Sequence, residues 1–164
     1  MTDVTWASRA HAFATDRFFL LQTLSGLRSA AWDPEGGSHF LPPDSSDEVL
    51  GQALMDCLDR SRQIAVEEVD RFFDPKLSKQ LYEASVERML KESGYKSRHK
   101  LFKNMLCCWV DRKQEVITIR PTCHERLEAW SGKGIDESDL LRVMRDASAS
   151  VIGASLRAAF ARCR

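Results

Sequence analysis

Apolar positions come in short strand-like runs at the start of the chain and then change to a helical period. His11–Phe13 and Phe18–Gln22 are apolar-aromatic runs separated by Thr15, Asp16 and Arg17, which predicts two strands joined by a tight turn. Ser25-Gly26 is a turn signal, and Pro34, Glu35, Gly36 and Gly37 make a loop. His39–Leu41 reads as a short strand stopped by Pro42 and Pro43. From Ser45 onward the apolar residues Val49, Leu50, Ala53, Leu54, Cys57 and Leu58 share one helical face. Glu48 stands three residues after Ser45, the spacing of a capping box, and the helix is expected to end near Arg62.

Gln63–Asp74 reads as a linker. Asp74-Pro75 then supplies an N-cap and a first helical proline, and Leu77, Leu81, Ala84, Val86, Met89 and Leu90 carry a helix to about Glu92, with Gly94 as its stop. Lys96–Lys103 is expected to be a solvated basic loop. Lys103–Val110 and Glu115–Arg120 read as strands connected by Asp111–Gln114, and Pro121 ends the second. Ser131–Gly134 is a loop, Leu140–Met144 a last strand, and Ser148–Ala161 a closing helix.

The closing helix repeats the first. Aligned without gaps, Asp44/Asp146, Ser46/Ser148, Val49/Val151, Gly51/Gly153, Leu54/Leu156, Arg60/Arg162 and Arg62/Arg164 are identical. The segment from Thr23 to Trp32 is echoed between Thr122 and Trp130. The expected fold is therefore α+β, a mainly antiparallel β-sheet covered by helices. It is built as two related strand-loop-strand-helix units around the central helix, in one domain spanning residues 1–164. Gly51 and Gly153 are expected where each helix packs closely on the sheet, since glycine in a helix interior otherwise costs about 1 kcal/mol against alanine.

Composition narrows the function classes. The 43% hydrophobic and 29% charged residues are those of an ordinary globular domain. No apolar run approaches the roughly 20 residues of a membrane span. The amino-terminal segment lacks a basic stretch followed by an apolar one, so no secretory signal is expected. Five cysteines, an odd number, fit reduced thiols in a cytoplasmic protein. The formal net charge is zero, but residues 1–97 carry 16 acidic and 11 basic side chains against 8 and 13 in residues 98–164. A neutral, two-signed chain is a poor non-specific nucleic-acid binder, because such binding comes from phosphate neutralisation. An acidic half can instead steer a basic protein partner.

Candidate chemistry is sparse. Cys123-His124 invites a nucleophile-and-base hydrolase reading, but adjacent residues rarely meet as a catalytic pair and no orienting partner is marked. Cys107, Cys108, Cys123 and His124 could be offered to zinc, yet neighbouring cysteines on a strand point to opposite faces. Glu125 and Glu128 could share a helical face, with two exposed glutamates as the plainer reading. Arg98–Lys103 suggests a nucleic-acid-binding regulator, without any accompanying recognition motif. Gly132-Lys133-Gly134 lacks the spacing of a phosphate loop. No catalytic residue, metal site or cofactor is therefore assigned. The acidic segment differs: Glu67, Glu68 and Asp70 surround Phe72, and aromatic anchors rimmed by charge suit a protein interface.

Four segments resemble one family: Leu20–Arg28 (LLQTLSGLR), Gly94–Met105 (GYKSRHKLFKNM), Ile117–Gly132 (ITIRPTCHERLEAWSG) and Ile152–Cys163 (IGASLRAAFARC). They are similar to the immunity proteins of bacterial contact-dependent growth inhibition (CDI) systems, over most of the chain from about Phe18 to the end. The resemblance implies a non-enzymatic cytoplasmic protein that binds the cognate C-terminal toxin domain of a CDI effector, with a ribonuclease as the expected toxin. It carries over no catalytic residue and no toxin contacts. The expected toxin-binding residues, Glu67, Glu68, Asp70 and Phe72, come from the acidic segment alone, with no membrane and no direct nucleic-acid contact.

Overall fold

The computed structural model describes residues 6–164. The first five residues of the segment searched for a secretory signal lie outside them. The elements in chain order are β1 (Ser8–Ala14), β2 (Phe19–Gly26), β3 (Ala30–Trp32), β4 (Ser38–Leu41), α1 (Asp47–Asp59), α2 (Val69–Phe72), α3 (Pro75–Ser93), α4 (Arg98–Phe102), β5 (Leu106–Lys113), β6 (Val116–Pro121), β7 (Cys123–Arg126), β8 (Ala129–Ser131), β9 (Leu141–Met144) and α5 (Ala149–Phe160). An antiparallel sheet runs in the order β3–β2–β1–β5–β6–β9, with β4 beside the first half of β2, and β7–β8 form a separate hairpin. The fold is α+β, as the sequence predicts.

The sheet divides the interior into two cores. Strand side chains alternate between faces. Ala10, Ala12, Ala14, Phe19 and Leu21 turn to one face with Val110, Ile117 and Ile119, where α1 and α5 cover them. Phe18 and Leu20, with Phe13, turn to the other face and meet Val86 and Met89 of α3 and Leu101 and Phe102 of α4. β2 is covered on both sides, and all eight of its residues are buried. That burial explains why its sequence, FLLQTLSG, places apolar residues on both faces instead of alternating apolar with polar.

The internal repeat is visible in three dimensions. β4 leads into α1 after pairing with β2, and β9 leads into α5 after pairing with β6. The segment after each helix is tied back to the sheet region in a parallel way: the Gly26 amide donates to the Arg62 carbonyl at 3.2 Å, and the His124 amide to the Arg164 carbonyl at 2.7 Å. The two glycines have a different reason from the one expected. They let the helices pack on each other rather than on the sheet. A Cβ at Gly51 would lie 1.8 Å from the Ala149 carbonyl oxygen, and one at Gly153 would lie 1.7 Å from that of Asp47. The first turn of each helix thus rests on the glycine of the other. Around this crossing Leu50, Leu54, Ile152 and Leu156 are fully buried, each contributing about 1.5–3 kcal/mol by removal from water.

Local expectations needed several corrections. Ser46, not Ser45, caps α1, accepting from the Val49 amide at 3.2 Å, while the Ser45 hydroxyl donates to the Pro42 carbonyl. α1 stops at Asp59, three residues early. Asp74 and Gly94 cap α3 as expected, Gly94 at φ 74°, where a side chain would be strained. The basic run is not a loop: Ser97 caps the short helix α4, which delays β5 to Leu106. β5 continues to Lys113, and Gln114 at φ 55° makes the hairpin turn. Glu125 and Glu128 sit in the β7–β8 hairpin, not on a helix.

Candidate functional site

The sheet face under α3 is incompletely filled. Val86 and Met89, in the C-terminal half of α3, are its buried residues, whereas Leu77 and Tyr82 remain 39% and 40% exposed. The N-terminal half therefore stands off the sheet and leaves a cleft of about 730 Å³. His11, Phe13, Leu20, Gln22 and Leu24 form its floor, and Phe72, Leu81, Tyr82 and Ser85 overhang it. Trp32 on β3 and Trp130 on β8 stand at its sides. The alternation that sends Leu20, Gln22 and Leu24 to this face sends Phe19, Leu21 and Thr23 to α1, where the Thr23 hydroxyl donates to the Cys57 carbonyl at 2.7 Å.

One end of the cleft is charged and ordered. Asp33 is buried, with its carboxylate accepting from the Ser25 hydroxyl at 2.7 Å, Arg62 Nε at 2.8 Å and the Glu35 amide at 3.0 Å. Burial opposes ionisation of Asp33, but these donors outweigh it and hold its carboxyl below the usual carboxylate range. Arg62 also reaches Glu35 at 2.7 Å and lies over the Phe72 ring at 6.0 Å. The floor residue His11 has its pKa pushed down to about 4 by burial, so it is neutral near pH 7.

The two tryptophans differ chemically. Trp130 Nε1 donates to the Met105 carbonyl at 3.0 Å. Trp32 Nε1 is buried and has no hydrogen-bond partner among the described residues. A buried donor without an acceptor costs about 1–3 kcal/mol, which an acceptor brought in by a bound chain would recover.

The structure places the four sequence-selected residues on one short segment at this cleft. Glu67 and Glu68 belong to a 3-10 turn (Val66–Glu68), and Asp70 and Phe72 to α2. Glu68 and Phe72 line the cleft, while Glu67 and Asp70 are exposed beside it. Other acids of the Asp44–Asp74 stretch are occupied on α1: Asp47 pairs with Arg157, Asp56 with His39 and Arg60, and Asp59 with Arg112. Trp32, Gln22, Leu81 and Tyr82 were not selected from the sequence. The available signal was the sparse apolar stripe of α3, too thin to close a core along its whole length.

The competing chemistries find structural uses. His124 Nε2 lies 2.8 Å from the Leu127 carbonyl, and its ring stacks on Trp130 at 4.9 Å, bracing the hairpin. Cys123, at the start of β7, is half-buried. Arg98 is held between Glu83 at 2.8 Å and Glu128 at 2.8 Å, joining α4, α3 and the β7–β8 hairpin. The Tyr82 hydroxyl donates to the same Glu128. Arg98 is thus engaged in an internal network rather than presented with Lys100 and Lys103.

Comparison with known proteins fits this architecture. The chain is 34% identical over 176 residues to the immunity protein CdiI-YPIII of Yersinia pseudotuberculosis serotype O:3, covering 100% of this chain and 99% of that protein. It superposes with a TM-score of 0.90 on a protein of unknown function from Neisseria meningitidis, at 32% identity and with 100% and 99% of the two chains covered. It also matches a chain from a CdiA-CT/CdiI toxin and immunity complex of Yersinia pseudotuberculosis, with TM-score 0.89, 31% identity and 99% and 100% coverage. The family model described as CDI immunity protein, CdiI, matches residues 8–163, which include the repeated halves, the cleft and both tryptophans. With that whole architecture matched, the chain belongs to the CDI immunity protein family.

Proposed function

We propose that this chain binds and neutralises the cognate C-terminal toxin domain of a CDI effector, and that it receives the toxin at the cleft under α3. It works in the cytoplasm as a single-domain binding protein without chemistry of its own, and the toxin is a ribonuclease. The observation that carries the site assignment is the open apolar cleft, beside which Leu77 and Tyr82 remain exposed and in which the Trp32 donor has no partner among the described residues. Apolar surface of this extent beside charge is what a partner covers. The acidic border of Glu35, Glu67, Glu68 and Asp70 complements a basic, phosphate-handling toxin and speeds capture. A complex of nanomolar strength corresponds to about −12 kcal/mol. An interface of roughly 1,600 Å² in total is ordinary for a specific complex.

The test pairs this chain with the toxin domain encoded beside it. Co-expression should restore growth, and the purified chain should stop RNA cleavage at a one-to-one ratio. Ser85→Trp fills the cleft and should abolish both effects while the far-ultraviolet spectrum is retained. Cys123→Ala and His124→Ala should protect fully; loss of protection in folded forms of either would restore the hydrolase reading. Full protection by Ser85→Trp removes the cleft as the site, and a toxin that spares RNA removes the ribonuclease assignment.

A further inference from the structure

A pair of thiols lies on the opposite side of the sheet from the cleft, and the toxin-binding reading does not use it. Cys108 stands in the middle of β5, fully buried among residues that contact α1 and α5. Cys163 follows the end of α5, one residue from the last residue of the chain, and is half-buried. Their sulfur atoms are 3.7 Å apart across a sequence separation of 55 residues. The remaining cysteines have different settings. Cys57 is fully buried and its thiol is pushed up to about 12 by burial, and Cys107 is also buried and pushed up. Cys123 lies half-buried on the β7–β8 hairpin.

The backbone around Cys163 is held in place. Its amide donates to the Phe160 carbonyl at 3.2 Å, and the next amide, of Arg164, donates to the Thr122 carbonyl at 3.0 Å. The Arg164 carbonyl in turn accepts from His124 at 2.7 Å. The chain terminus is therefore tied between β7 and the end of β6, and Cys163 is aimed at β5. Its sulfur also lies 3.4 Å from the Cys107 carbonyl. A disulfide needs its two sulfurs at about 2.05 Å, so closure requires the pair to approach by a bond-length-scale shift. Rotation of the less confined Cys163 side chain, beyond the last helical turn, can supply that shift.

The protonation pattern agrees with this geometry. Donation from the Cys108 thiol is the largest influence on Cys163 and brings it down to about 7 against the opposing effect of burial. Cys108 itself is pushed up, first by that hydrogen bond and then by burial. Both directions make Cys163, the less buried sulfur, the readier of the two to ionise and Cys108 the readier to keep its proton. A thiolate with solvent access beside a second thiol is the arrangement in which oxidation stops reversibly at a disulfide.

We propose that Cys163 and Cys108 form a peroxide-reactive modification site, with Cys163 the attacking thiolate and Cys108 the resolving thiol. The Cys163 thiolate attacks one oxygen of hydrogen peroxide, breaking the O–O bond and giving the sulfenic acid, while hydroxide leaves and takes a proton from solvent to become water. The Cys108 sulfur then attacks the Cys163 sulfur, the S–O bond breaks, and water departs with the Cys108 proton. Both sulfur atoms are oxidised by one electron each relative to the thiols, and one peroxide is reduced to two waters. The resulting link joins a central strand to the carboxy terminus and encloses β6 to β9 and α5 in one covalent loop. Such a loop removes freedom from the unfolded chain and leaves the cleft face untouched.

The test uses the full chain, reduced, freed of reductant, exposed to hydrogen peroxide in the folded state and then quenched with N-ethylmaleimide in denaturant, so that buried thiols are also alkylated. The expected product has lost two hydrogens and carries three alkylated cysteines of the five, with Cys108 and Cys163 in one cross-linked peptide. Its Tm should rise by about 5–15 °C and return on reduction. In Cys108→Ser, Cys163 should instead accumulate as sulfenic acid, trapped by dimedone, with no rise in Tm. Because serine at buried Cys108 can itself lower stability, Cys163→Ser serves as the milder variant, and its Cys108 should stay an unmodified thiol. Five alkylatable thiols after peroxide would overturn the proposal. So would a wild-type chain oxidised at Cys163 beyond the sulfenic acid without a bridge, or a covalent dimer through Cys123.

Discussion

Replacing Gly153 by alanine tests whether the repeated helices are held by contact between their backbones. The added methyl would stand 1.7 Å from the Asp47 carbonyl oxygen, 2.6 Å from its carbon and 2.9 Å from its Cα. Ordinary carbon-to-oxygen contacts lie at about 3.3–3.6 Å, so α1 and α5 must separate by roughly 1.5 Å. The obstacle is the first turn of a capped helix, whose backbone cannot swing aside as a long side chain does. Separation would loosen Leu50, Leu54, Ile152 and Leu156 together. Alanine would return about 1 kcal/mol of helix propensity. Overpacking costs about 1–3 kcal/mol, more where the backbone must shift. With the required backbone shift placing the cost at about 3 kcal/mol, the net expectation is a destabilisation of about 2 kcal/mol, or about 4–8 °C in Tm for a chain of this size. Thermal and urea unfolding followed by circular dichroism would measure it. Gly132→Ala is the control, since nothing lies within 4 Å of the added methyl. A Gly153→Ala protein as stable as wild type, or a control that falls equally, would refute the reasoning. The double variant with Gly51→Ala should lose less than the sum, because one separation relieves both clashes.

Three other outcomes follow from the geometry. Glu67→Lys with Glu68→Lys should weaken toxin affinity by about 10- to 100-fold, mainly through slower association, with Tm nearly unchanged; unchanged affinity in surface plasmon resonance removes the acidic segment from the interface. Arg98→Met leaves Glu83 and Glu128 facing each other, and should cost about 1 kcal/mol, less at high salt because the network is partly exposed; equal losses in urea titrations at low and high salt would argue against the ionic account. Burial pushes the His11 pKa down from the ordinary 6.5 to about 4, so as pH falls through that window the unfolded chain takes up a proton that the folded chain refuses. Its share of stability is therefore present above pH 6.5 and lost towards pH 4, by at most about 3 kcal/mol, and His11→Gln should flatten the urea midpoint over that range.

How much was legible in the sequence depended on how local the deciding forces were. Asp74-Pro75 and Gly94 act within one helical turn, and α3 begins and ends where they stand. The β2 run and the alternation of β6 report burial directly. The Asp44–Arg62 and Asp146–Arg164 repeat also survived into the fold, though the purpose of its glycines depended on which helix lay opposite. Strand β3 was missed because three residues between turn signals carry too little pattern, and its pairing to Leu24–Gly26 is made by the sheet. α4 was missed because Arg98 looked solvated, whereas Glu83 and Glu128 hold it from two other elements. The cleft was the least legible feature. Leu77 and Leu81 have the spacing of core residues, yet in the fold Leu77 is exposed and Leu81 only half-buried. Phe72 and Glu68 were selected for their mixed chemistry, and the fold does put them at the cleft.

The two cores also bear on how such a protein can change over generations. The α1–α5 core and the α3 core lie on opposite faces of the sheet, and the cleft proposed to receive the toxin opens on the α3 side only. Substitutions more than about 7–10 Å apart, without shared neighbours, have nearly independent effects on stability. A lineage following a drifting toxin can therefore rewrite the cleft border without paying each time in foldedness. If the cleft is the toxin site, immunity can be retuned there by small steps, each leaving a molecule that still folds, because the α1–α5 core on the reverse face is not touched.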